Sequence, residues 1–531
     1  MRRSLAALAL VGLVLLGGDV AAWQAPLRLA PVVEPRVVSV PLPDDIPLPW
    51  GPSQGDYARG LQTAHAMTLD EAAGQVIVAR FLGRDPAAVE DLVRRYHLGG
   101  VMFGGGNVGP EWLNRQLTAA AQAGGDGRDW PVITATDQEG GPVARLKATV
   151  PEMPAFLAAG AVRDKALVEQ AFLGTGADML AMGFNVDFAP VADLTTGLSD
   201  PIIRTRSPGD DSADASATVL AAAAGLLASG VVPAVKHFPG HGGVTVDSHV
   251  GLPVQSASLE ELEVYDLVPF RAAVDAGVPM VMMSHVAVEA WGTAPSSLNP
   301  EAYAYLRDTL DFRGVAITDS LSMAAVVSRG PDGPAVAALN AGVDLVLMPA
   351  DTALAHAQIV AAVESGRLTR ARLDEAAAKS ITLMRWMEDR PREEAPPDYV
   401  GALDAQAIVV TSPLCGGPLV GSRVAISGGW ADERAELAAA LARRGITAGS
   451  TGTRIRLLGA PDGSGTADVV VAMDGPWGLP SSHATTYVGL FGRSPESFSA
   501  LADVLAGVTD PVGRWPVHVG SLNGTECGAP T

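Results

Sequence analysis

Cysteine is almost absent from this sequence. Only Cys415 and Cys527 occur among 531 residues, and both lie late in the chain. In an oxidising compartment they could form one disulfide bond, and two free structural thiols are the alternative, because the sequence does not give the distance between their Cα atoms. No cysteine directly follows the apolar N-terminal segment, so a lipid-modified N-terminus would lack its attachment residue.

Positive charge is also scarce, since 37 Lys and Arg face 58 Asp and Glu and give a net charge of −21. Such a chain would repel a phosphate backbone, and no Lys/Arg run occurs beyond the extreme N-terminus. The composition therefore argues against nucleic acid as a partner and favours a neutral or weakly charged substrate. Charged residues make up 18% of the chain and apolar residues 48%, which predicts a globular protein with little disorder.

The N-terminus has the organisation of an export signal. Arg2 and Arg3 precede an apolar stretch over residues 5–18, and small residues follow before Trp23. The stretch is short for a membrane span, with an uncleaved anchor as the alternative. We therefore expect residues 1–22 to be a signal peptide or anchor, and the protein to be secreted or attached to the outer face of the cytoplasmic membrane.

The length predicts two domains, because 531 residues exceed one ordinary core and would hold a barrel-sized domain with a smaller companion. Residues 23–66 contain many prolines and are predicted to be a linker or strap without a regular helix or central strand. A second proline-rich break at residues 391–397 separates a larger domain, 67–390, from a C-terminal domain, 398–531.

Eight short runs with the composition of β-strands recur in the larger domain. They are Val76–Phe81, Gly100–Phe103, Pro131–Asp137, Asn185–Val191, Val232–His237, Val278–Val286, Gly314–Asp319 and Val343–Met348. The stretches between them, for example 213–228 and 259–276, are rich in Ala and Leu with helical spacing. This alternation predicts a parallel (β/α)8 barrel of the TIM type, with a doubly wound open sheet as the alternative.

The C-terminal domain alternates strand-like and helical runs in the same way. Strands are predicted at 407–410, 423–427, 455–458 and 467–473, and helices at 433–444 and 495–506. Ser494 has the position of an N-cap before Pro495 at the start of the second helix. The pattern predicts a smaller, sandwich-like α/β domain in which no obvious chemistry assembles.

Polar residues stand at the ends of the predicted barrel strands. Asp137 ends the third run, Lys236 and His237 end the fifth, His285 lies near the end of the sixth, and Asp319 ends the seventh. Functional sites in such barrels lie at the rim formed by the carboxyl ends of the strands. We therefore expect these side chains to face one site.

The segment 236–249 holds three histidines, a lysine and an aspartate, and its Pro and Gly residues argue against a helix. A loop stabilised by buried histidines is the simplest interpretation. A metal site is a second one, because His237 and His241 have the spacing of a zinc-binding helix, although the intervening Pro-Gly breaks such a helix. We prefer an acid/base pair, in which Asp247 orients the imidazole of His249 and leaves its other nitrogen for the substrate.

Asp319 supplies the second half of the candidate chemistry. It follows the apolar residues 315–317 and Thr318, where a carboxylate is desolvated unless it faces a cleft. A helix N-cap is the alternative role for this aspartate.

At this point the chain resembles the β-N-acetylglucosaminidase branch of glycoside hydrolase family 3. The most specific match is Lys236-His237-Phe238-Pro239-Gly240-His241-Gly242, followed after four residues by Asp247-Ser248-His249. Further similar stretches are Met67-Thr68-Leu69-Asp70-Glu71, Asp137-Gln138-Glu139-Gly140-Gly141, Arg204-Thr205-Arg206-Ser207 and Ala338-Leu339-Asn340-Ala341-Gly342-Val343-Asp344. The resemblance spans residues 67–387 and is weaker at 491–495 and 511–516, which look like a shortened form of the family's second domain.

The resemblance implies a retaining exo-β-N-acetylhexosaminidase acting on cell-wall fragments or chitooligosaccharides. The family's nucleophile, which forms a glycosyl-enzyme intermediate, matches Asp319, and its acid/base matches His249 with Asp247 as partner. Family positions that hydrogen-bond the sugar match Asp137, Arg145, Arg206, Lys236 and His237. For each of these five, a salt bridge at the barrel rim is the alternative. The resemblance implies a glycan containing N-acetylglucosamine as partner, and no cofactor, metal ion or tight protein partner.

Two positions depart from the family pattern. Pro142 stands where an arginine is usual, which affects the subsite contacts expected there, and Ser320 replaces a common aspartate beside the nucleophile. The alternative functions are a β-glucosidase or N-acetylglucosaminide phosphorylase on the same fold, a non-catalytic sugar-binding protein, and a metal-dependent hydrolase.

Overall fold

A parallel β-barrel forms the larger part of the computed structural model, which describes residues 46–528. The strands of this part are β1 Ile77–Arg80, β2 Gly100–Met102, β3 Ile133–Thr136, β4 Gln138–Gly140, β5 Val143–Ala144, β6 Val186–Asp187, β7 Val232–Phe238, β8 Val254–Gln255, β9 Met280–Met283, β10 Ala287–Val288, β11 Val315–Thr318 and β12 Val346–Leu347. Eight of them pair in the order β11-β9-β7-β6-β3-β2-β1-β12, all in parallel.

The two ends of this sheet meet, because a parallel bridge joins Ile317 of β11 to Leu345 just before β12. Each of the eight predicted runs contains one barrel strand. The prediction of a (β/α)8 barrel is therefore confirmed, and the open-sheet alternative is wrong. The four remaining short strands lie outside the barrel sheet: β4 and β5 form an antiparallel hairpin after β3, and β8 pairs with β10.

The barrel strands are buried on both faces. Val78, Ala135 and Ile317 belong to the core inside the barrel, whereas Ala79 and Ala316 pack in the layer between strands and helices. Successive side chains of a strand point to opposite faces, so a strand covered on both sides needs a continuous apolar run. This packing explains why the strands were visible in the sequence.

Helices surround the barrel. They are α1 Gln54–Ala66, α2 Leu69–Gln75, α3 Pro86–Tyr96, α4 Glu111–Gly124, α5 Phe156–Ala161, α6 Lys165–Ala181, α7 Ser212–Ser229, α8 Leu259–Val264, α9 Val268–Asp275, α10 Pro300–Ala304, α11 Pro334–Ala341, α12 Thr352–Glu364 and α13 Arg370–Glu388. The predicted helical run 213–228 is α7, whereas the run 259–276 is divided into α8 and α9 at residues 265–267.

The ends of α7 follow from its sequence. The Asp211 side chain accepts hydrogen bonds from the backbone N–H groups of Ala213 and Asp214, and the helix ends at Gly230, whose φ of 93° is the left-handed conformation that glycine adopts without strain. Among residues 46–528, α7 alone is long and apolar enough to cross a bilayer, and 56% of it is buried in the protein. A helix that packs against a barrel can have the same length and apolar composition.

The prediction of a helix-free linker over 23–66 is wrong for its last part, because α1 occupies Gln54–Ala66. The prolines all precede this helix, and Ser53 forms a capping box with Asp56 that starts it. Residues 1–45 lie outside the described residues, so the predicted signal or anchor and the rest of the linker stay predictions.

A second, smaller sheet follows the barrel. Its strands are β13 Val409–Ser412, β14 Arg423–Gly428, β15 Thr447–Ala448, β16 Thr453–Leu458, β17 Val469–Ala472, β18 Thr486–Gly489 and β19 Thr525–Glu526, in the order β15-β14-β16-β17-β18-β13-β19. Helices α14 Tyr399–Ala407, α15 Ala431–Ala442 and α16 Pro495–Ala506 accompany it. The predicted α/β class is confirmed, as is the N-cap role of Ser494, whereas β15, β18 and β19 were not predicted.

A disulfide bond joins Cys415 to Cys527 with a Cα–Cα distance of 5.3 Å. It connects the loop after β13 to the turn after β19, two strands that also pair with each other. Of the two interpretations of these cysteines, the disulfide is the one found in the structure.

The two sheets belong to one compact unit. The Ala155 backbone N–H donates to the Phe491 carbonyl over 3.0 Å, and the Tyr399 hydroxyl donates to Asp178 over 2.7 Å. The first of these contacts reaches the loop that follows the β4–β5 hairpin. The predicted domain boundaries at 67–390 and 398–531 stay predictions.

Candidate active site

A cleft of about 320 Å³ opens at the carboxyl ends of the barrel strands. Seven of the eight candidate residues line it: Asp137, Arg145, Arg206, Lys236, His237, His249 and Asp319. The eighth, Asp247, hydrogen-bonds one of them. A neighbouring cavity of about 470 Å³ over the ends of β1 and β2 shares part of this lining, so the cleft continues toward that side of the barrel.

Asp319 directly follows β11. Its Oδ1 accepts the Ser320 backbone N–H over 2.6 Å, and its Oδ2 makes no hydrogen bond to any residue within 46–528. Burial acts to raise the pKa of Asp319, whereas His285 and His237 act to lower it. With the Ser320 N–H and Lys236 added, the pKa falls to about 2. The side chain is therefore a carboxylate at neutral pH with one free oxygen.

The helix N-cap interpretation of Asp319 is wrong. Turns follow this residue, and the next helix, α11, begins only at Pro334. The neighbouring Ser320 hydroxyl lies 2.8 Å from the Ser322 hydroxyl, and both serines line the cleft. The residue that departs from the family pattern here thus adds neutral polar atoms beside the carboxylate.

His249 and Asp247 form a hydrogen-bonded pair on the loop after β7. The distance from His249 Nδ1 to Asp247 Oδ1 is 2.8 Å, and the His249 backbone N–H donates to the same oxygen over 2.8 Å. Partial burial raises the pKa of Asp247, but the hydrogen bonds from His249 outweigh it and lower the pKa. The carboxylate therefore holds the proton on Nδ1, and the 65% exposed ring presents Nε2, which has no hydrogen bond to a described residue.

A buried cluster of charges forms one wall of the cleft. Lys236 Nζ lies 3.0 Å from Asp137 and 2.6 Å from Glu139, and Arg206 makes two hydrogen bonds to Glu139 at 2.8 and 2.9 Å. Burial would raise the pKa of Glu139, but Arg206 and Lys236 together hold it well below its usual range. Glu139, Arg206 and Lys236 are therefore charged, and the hydrogen bonds fix all four groups relative to one another.

Glu139 was not predicted as a site residue. It lies within one of the stretches similar to the family, but its role depends on an arginine 67 positions away. The predicted alternative for Lys236, Asp137 and Arg206 was a salt bridge, and each of them makes one: Lys236 pairs with Asp137 and Glu139, and Arg206 pairs with Glu139. Because all three also line the cleft, the ion pairs and contact with a sugar are compatible.

His237 and His241 bind different partners, although both approach Asp193. His237 Nδ1 lies 2.6 Å from Asp193 Oδ2, and the other oxygen of Asp193 accepts the backbone N–H groups of both histidines. His241 Nε2 lies 3.0 Å from the Ser248 hydroxyl. Asp193, which is fully buried, was also missed in the sequence, where its only signal is a position shortly after the fourth strand.

No group of three or more His, Cys, Asp or Glu side chains is arranged to hold a metal ion in the part of the chain that the structure describes. The four-residue spacing of His237 and His241 therefore does not correspond to a ligand set there. Their ring nitrogens instead contact a carboxylate and a hydroxyl.

His285, which follows β9, supports the backbone beside Asp319. Its Nε2 lies 2.9 Å from the Ser320 carbonyl oxygen, and its Nδ1 lies 2.7 Å from the Ser297 hydroxyl. Burial lowers the pKa of His285, so the ring is neutral at neutral pH. A neutral ring has one N–H, which donates from Nε2 to the carbonyl while Nδ1 accepts from Ser297.

Asp187 lies beneath the charge cluster, in the barrel. One of its oxygens accepts the Gln138 backbone N–H over 2.9 Å, and the other, fully buried, has no hydrogen-bond partner among the described residues. Burial raises the pKa of Asp187 to about 8. This carboxyl is therefore mostly protonated at neutral pH.

Arg145 and Pro142 lie near the β4–β5 hairpin. Arg145 is exposed, lines both cavities and makes no side-chain hydrogen bond to residues 46–528. Pro142 lies in the turn of the hairpin and borders a separate small cavity next to Arg493 of the second sheet. The side chain at position 142 is thus outside the main cleft.

Comparison with known proteins identifies the family of the chain. Residues 68–383 match the model of the glycosyl hydrolase family 3 N terminal domain. Beta-hexosaminidase LpqI of Mycobacterium tuberculosis is 35% identical over 50% of this chain and 69% of its own length. Beta-hexosaminidase A of Pseudoalteromonas piscicida is 30% identical over 56% of this chain, which spans only 55% of that protein.

A solved structure agrees with these matches over a larger part of the chain. A glycoside hydrolase family 3 beta-N-acetylglucosaminidase from Paenibacillus sp. str. FPU-7 superposes with a TM-score of 0.74 and 25% identity, covering 86% of this chain and 99% of the other. The family match extends over more than half of the chain and contains all eight candidate residues. The chain belongs to glycosyl hydrolase family 3.

Proposed function

We propose that the protein is a retaining exo-β-N-acetylhexosaminidase that removes terminal N-acetylglucosamine from cell-wall fragments or chitooligosaccharides. The observation that supports it best is the pairing, around one cleft, of an ionised carboxylate at Asp319 with an exposed imidazole at His249 whose other nitrogen is held by Asp247. One group can attack a sugar carbon while the other transfers a proton.

The proposed reaction has two steps. In the first, Asp319 Oδ2 attacks the anomeric carbon, the bond from that carbon to the leaving oxygen breaks, and the leaving oxygen takes the proton from His249 Nε2. In the second, Nε2 accepts a proton from water, whose oxygen displaces the carboxylate and releases the sugar. Two displacements at one carbon retain its configuration. Oδ2 is the attacking atom because Oδ1 is occupied by the Ser320 N–H.

The charge cluster would bind the hydroxyl groups of the terminal sugar. Asp137 offers acceptor atoms to the cleft, and Arg206 and Lys236 offer donors, in fixed positions. Partners held in fixed positions form strong and geometrically selective hydrogen bonds.

The location of the acid/base favours a hexosaminidase over the β-glucosidase alternative. His249 and Asp247 stand on a loop of the barrel itself, and the named relatives are a beta-N-acetylglucosaminidase and beta-hexosaminidases. The family resemblance assigns this loop to the N-acetylglucosaminidase branch, whereas the β-glucosidase branch takes its acid/base from the second domain.

We also propose that the protein is exported and acts outside the cytoplasmic membrane. The organisation of residues 1–22 supports this, and so does the disulfide between Cys415 and Cys527, because such bonds persist mainly in oxidising compartments. Fractionation of cells that carry the full chain, with activity measured in each fraction, would test it. Activity confined to the cytoplasm would contradict export.

The central test compares the wild-type protein with Asp319→Ala and His249→Ala on a nitrophenyl N-acetyl-β-glucosaminide and on the matched β-glucoside. We expect the wild type to prefer the N-acetylglucosaminide and Asp319→Ala to lose at least about 10³-fold in kcat. Azide should restore turnover to Asp319→Ala with inversion of configuration, because the small anion enters the space left by the carboxylate.

Four outcomes would contradict the proposal. Equal or better hydrolysis of the glucoside would favour the β-glucosidase, release of sugar 1-phosphate on addition of phosphate would favour the phosphorylase, and inactivation by a chelator would favour the metal-dependent hydrolase. Binding of N-acetylglucosamine without any turnover would indicate a non-catalytic sugar-binding protein.

A further inference from the structure

The hydrogen bond between His241 and Ser248 links two parts of the loop that follows β7. His241 Nε2 lies 3.0 Å from Ser248 Oγ, and the two residues are only 1% and 2% exposed. Ser248 stands between Asp247 and His249, the pair that we propose as the acid/base unit. The bond therefore reaches the backbone from which both of those side chains project.

The first half of the loop is well fixed. The His241 backbone N–H donates to Asp193 Oδ1 over 2.8 Å, and the Gly242 carbonyl accepts the Thr196 hydroxyl over 2.9 Å. A Cβ at Gly242 would lie only 1.7 Å from the Leu194 carbonyl oxygen, so the chain packs directly against the loop after β6. The backbone at 241–242 thus has a defined position relative to the barrel.

The second half of the loop, residues 245–251, is held differently. Thr245, Val246, His249 and Val250 are exposed, and the backbone hydrogen bonds of this segment stay within it. Among residues 46–528, the bond from Ser248 to His241 is the one hydrogen bond that joins segment 245–251 to any residue outside it. Its loss would leave the position of the His249 ring undetermined by hydrogen bonding.

His241 is suited to such a role because its ring is fixed and uncharged. Burial lowers the pKa of His241, and its Nδ1 has no hydrogen-bond partner in the described part of the protein. Among the described residues, Nε2 therefore carries the only hydrogen bond of the ring, and this bond goes to Ser248. A buried imidazole whose orientation is fixed by packing holds its hydrogen-bond partner in one position.

We propose that His241 is a positioning residue that acts through Ser248 to hold His249 over the cleft. The inference rests on the proposed function, and it adds a residue that lines the cleft and positions the acid without transferring the proton itself. Proton transfer requires the donor to stand within hydrogen-bonding distance of the leaving oxygen. Without the His241–Ser248 bond, His249 would remain paired with Asp247 but would occupy that position for only part of the time.

The test uses the dependence on the leaving group. A dinitrophenolate leaves without protonation, whereas the sugar alcohol released from diacetylchitobiose needs a proton, so only the second substrate reports on the placement of the acid. The variant is Ser248→Ala, which removes one buried oxygen. Its matched control is Thr245→Ala, which removes a hydroxyl from an exposed residue of the same segment that has no hydrogen bond within the described chain.

We expect Ser248→Ala to lower kcat/KM on diacetylchitobiose by about 10-fold while kcat/KM on the dinitrophenyl glycoside stays within about 2-fold of wild type. Thr245→Ala should leave both values unchanged. His241→Ala should show the same selectivity, and adding Ser248→Ala to it should cause little further loss, because both changes remove one interaction.

Equal losses on both substrates would overturn the proposal, since they would indicate a general structural role. Unchanged activity of Ser248→Ala on diacetylchitobiose would overturn it as well, and so would fully additive losses in the double variant. These results differ from failure of the proposed function, in which the wild-type protein itself would not hydrolyse diacetylchitobiose.

Discussion

Lys236 Nζ lies 2.6 Å from Glu139 Oε1, and both side chains are almost completely buried. The same carboxylate also receives two hydrogen bonds from Arg206. Glu139 therefore fixes the positions of two cations, Lys236 and Arg206, that line the cleft. Both positions depend on one carboxylate that the sequence did not identify as a site residue.

Replacing this charge should destabilise the protein. Glu139→Gln would leave two buried cations with one fewer counterion, so we expect the free energy of unfolding to fall by about 3–5 kcal/mol and kcat/KM on the N-acetylglucosaminide to fall with it. Urea unfolding measures the first and steady-state kinetics the second.

The matched control is Glu152→Gln, which breaks the exposed ion pair with Lys147 and should cost less than about 1 kcal/mol. If the two variants unfolded at the same urea concentration, the buried cluster would not contribute to stability as described.

Asp247→Asn should impair proton transfer with little effect on stability. The substitution keeps the shape of the side chain but removes the negative charge that holds a proton on Nδ1 of His249. We expect kcat/KM on diacetylchitobiose to fall by about 10²-fold while the melting temperature changes little. A variant as active as wild type would show that His249 needs no carboxylate partner. Asp311→Asn, in an exposed loop, serves as the control.

The raised pKa of Asp187 leads us to expect that the free energy of unfolding depends on pH. Its pKa is raised from the ordinary 3.8 to about 8 in the folded protein, so between these values the folded state binds a proton that the unfolded state has lost. This contribution is fully present below pH 3.8 and is lost as the pH rises toward 8, by up to about 1.4 kcal/mol per pH unit.

Asp187→Asn imitates the protonated acid and should remove this loss. Urea unfolding of both proteins between pH 5 and 8, on the range set by the raised pKa of about 8, should show the variant gaining on the wild type as the pH rises. A difference that stays constant with pH would mean that Asp187 is not protonated in the folded protein.

The disulfide should stabilise the second sheet. It closes a loop of 112 residues that contains most of the strands of this sheet, so Cys415→Ser with Cys527→Ser should lower the free energy of unfolding by about 3–5 kcal/mol. Calorimetry with and without dithiothreitol is the measurement. The reductant should lower the melting temperature of the wild type and leave that of the double variant unchanged; an effect on both would point to a cause other than this bond.

The fold was largely predictable because parallel strands covered on both faces need continuous apolar runs, and each of the eight runs contained a barrel strand. The failures have local causes. Helix α1 was not predicted because the prolines that precede it led to the whole segment 23–66 being treated as a linker. Ser53 and Asp56 nevertheless have the spacing of a capping box, which indicates a helix start. Strand β18, Thr486–Gly489, is short and follows a turn, so it left no pattern long enough to detect.

The candidate site was only partly predictable. Residues such as Asp319 and Lys236 could be found because they end strands or belong to a specific motif. Glu139 and Asp193 could not be assigned in the same way, because their function is to hold other site residues that lie 67 and 44 positions away. Contacts of this kind are decided by tertiary packing, which leaves no spacing rule in one sequence.

The charge cluster has a consequence for the conditions under which the protein works. Asp137 and Glu139 face Lys236 and Arg206, so two negative charges are neutralised by two positive ones within the wall of the cleft. Although the chain carries a net charge of −21, little of that field would act on an uncharged sugar. The KM for a neutral glycan should therefore vary little between dilute buffer and molar salt.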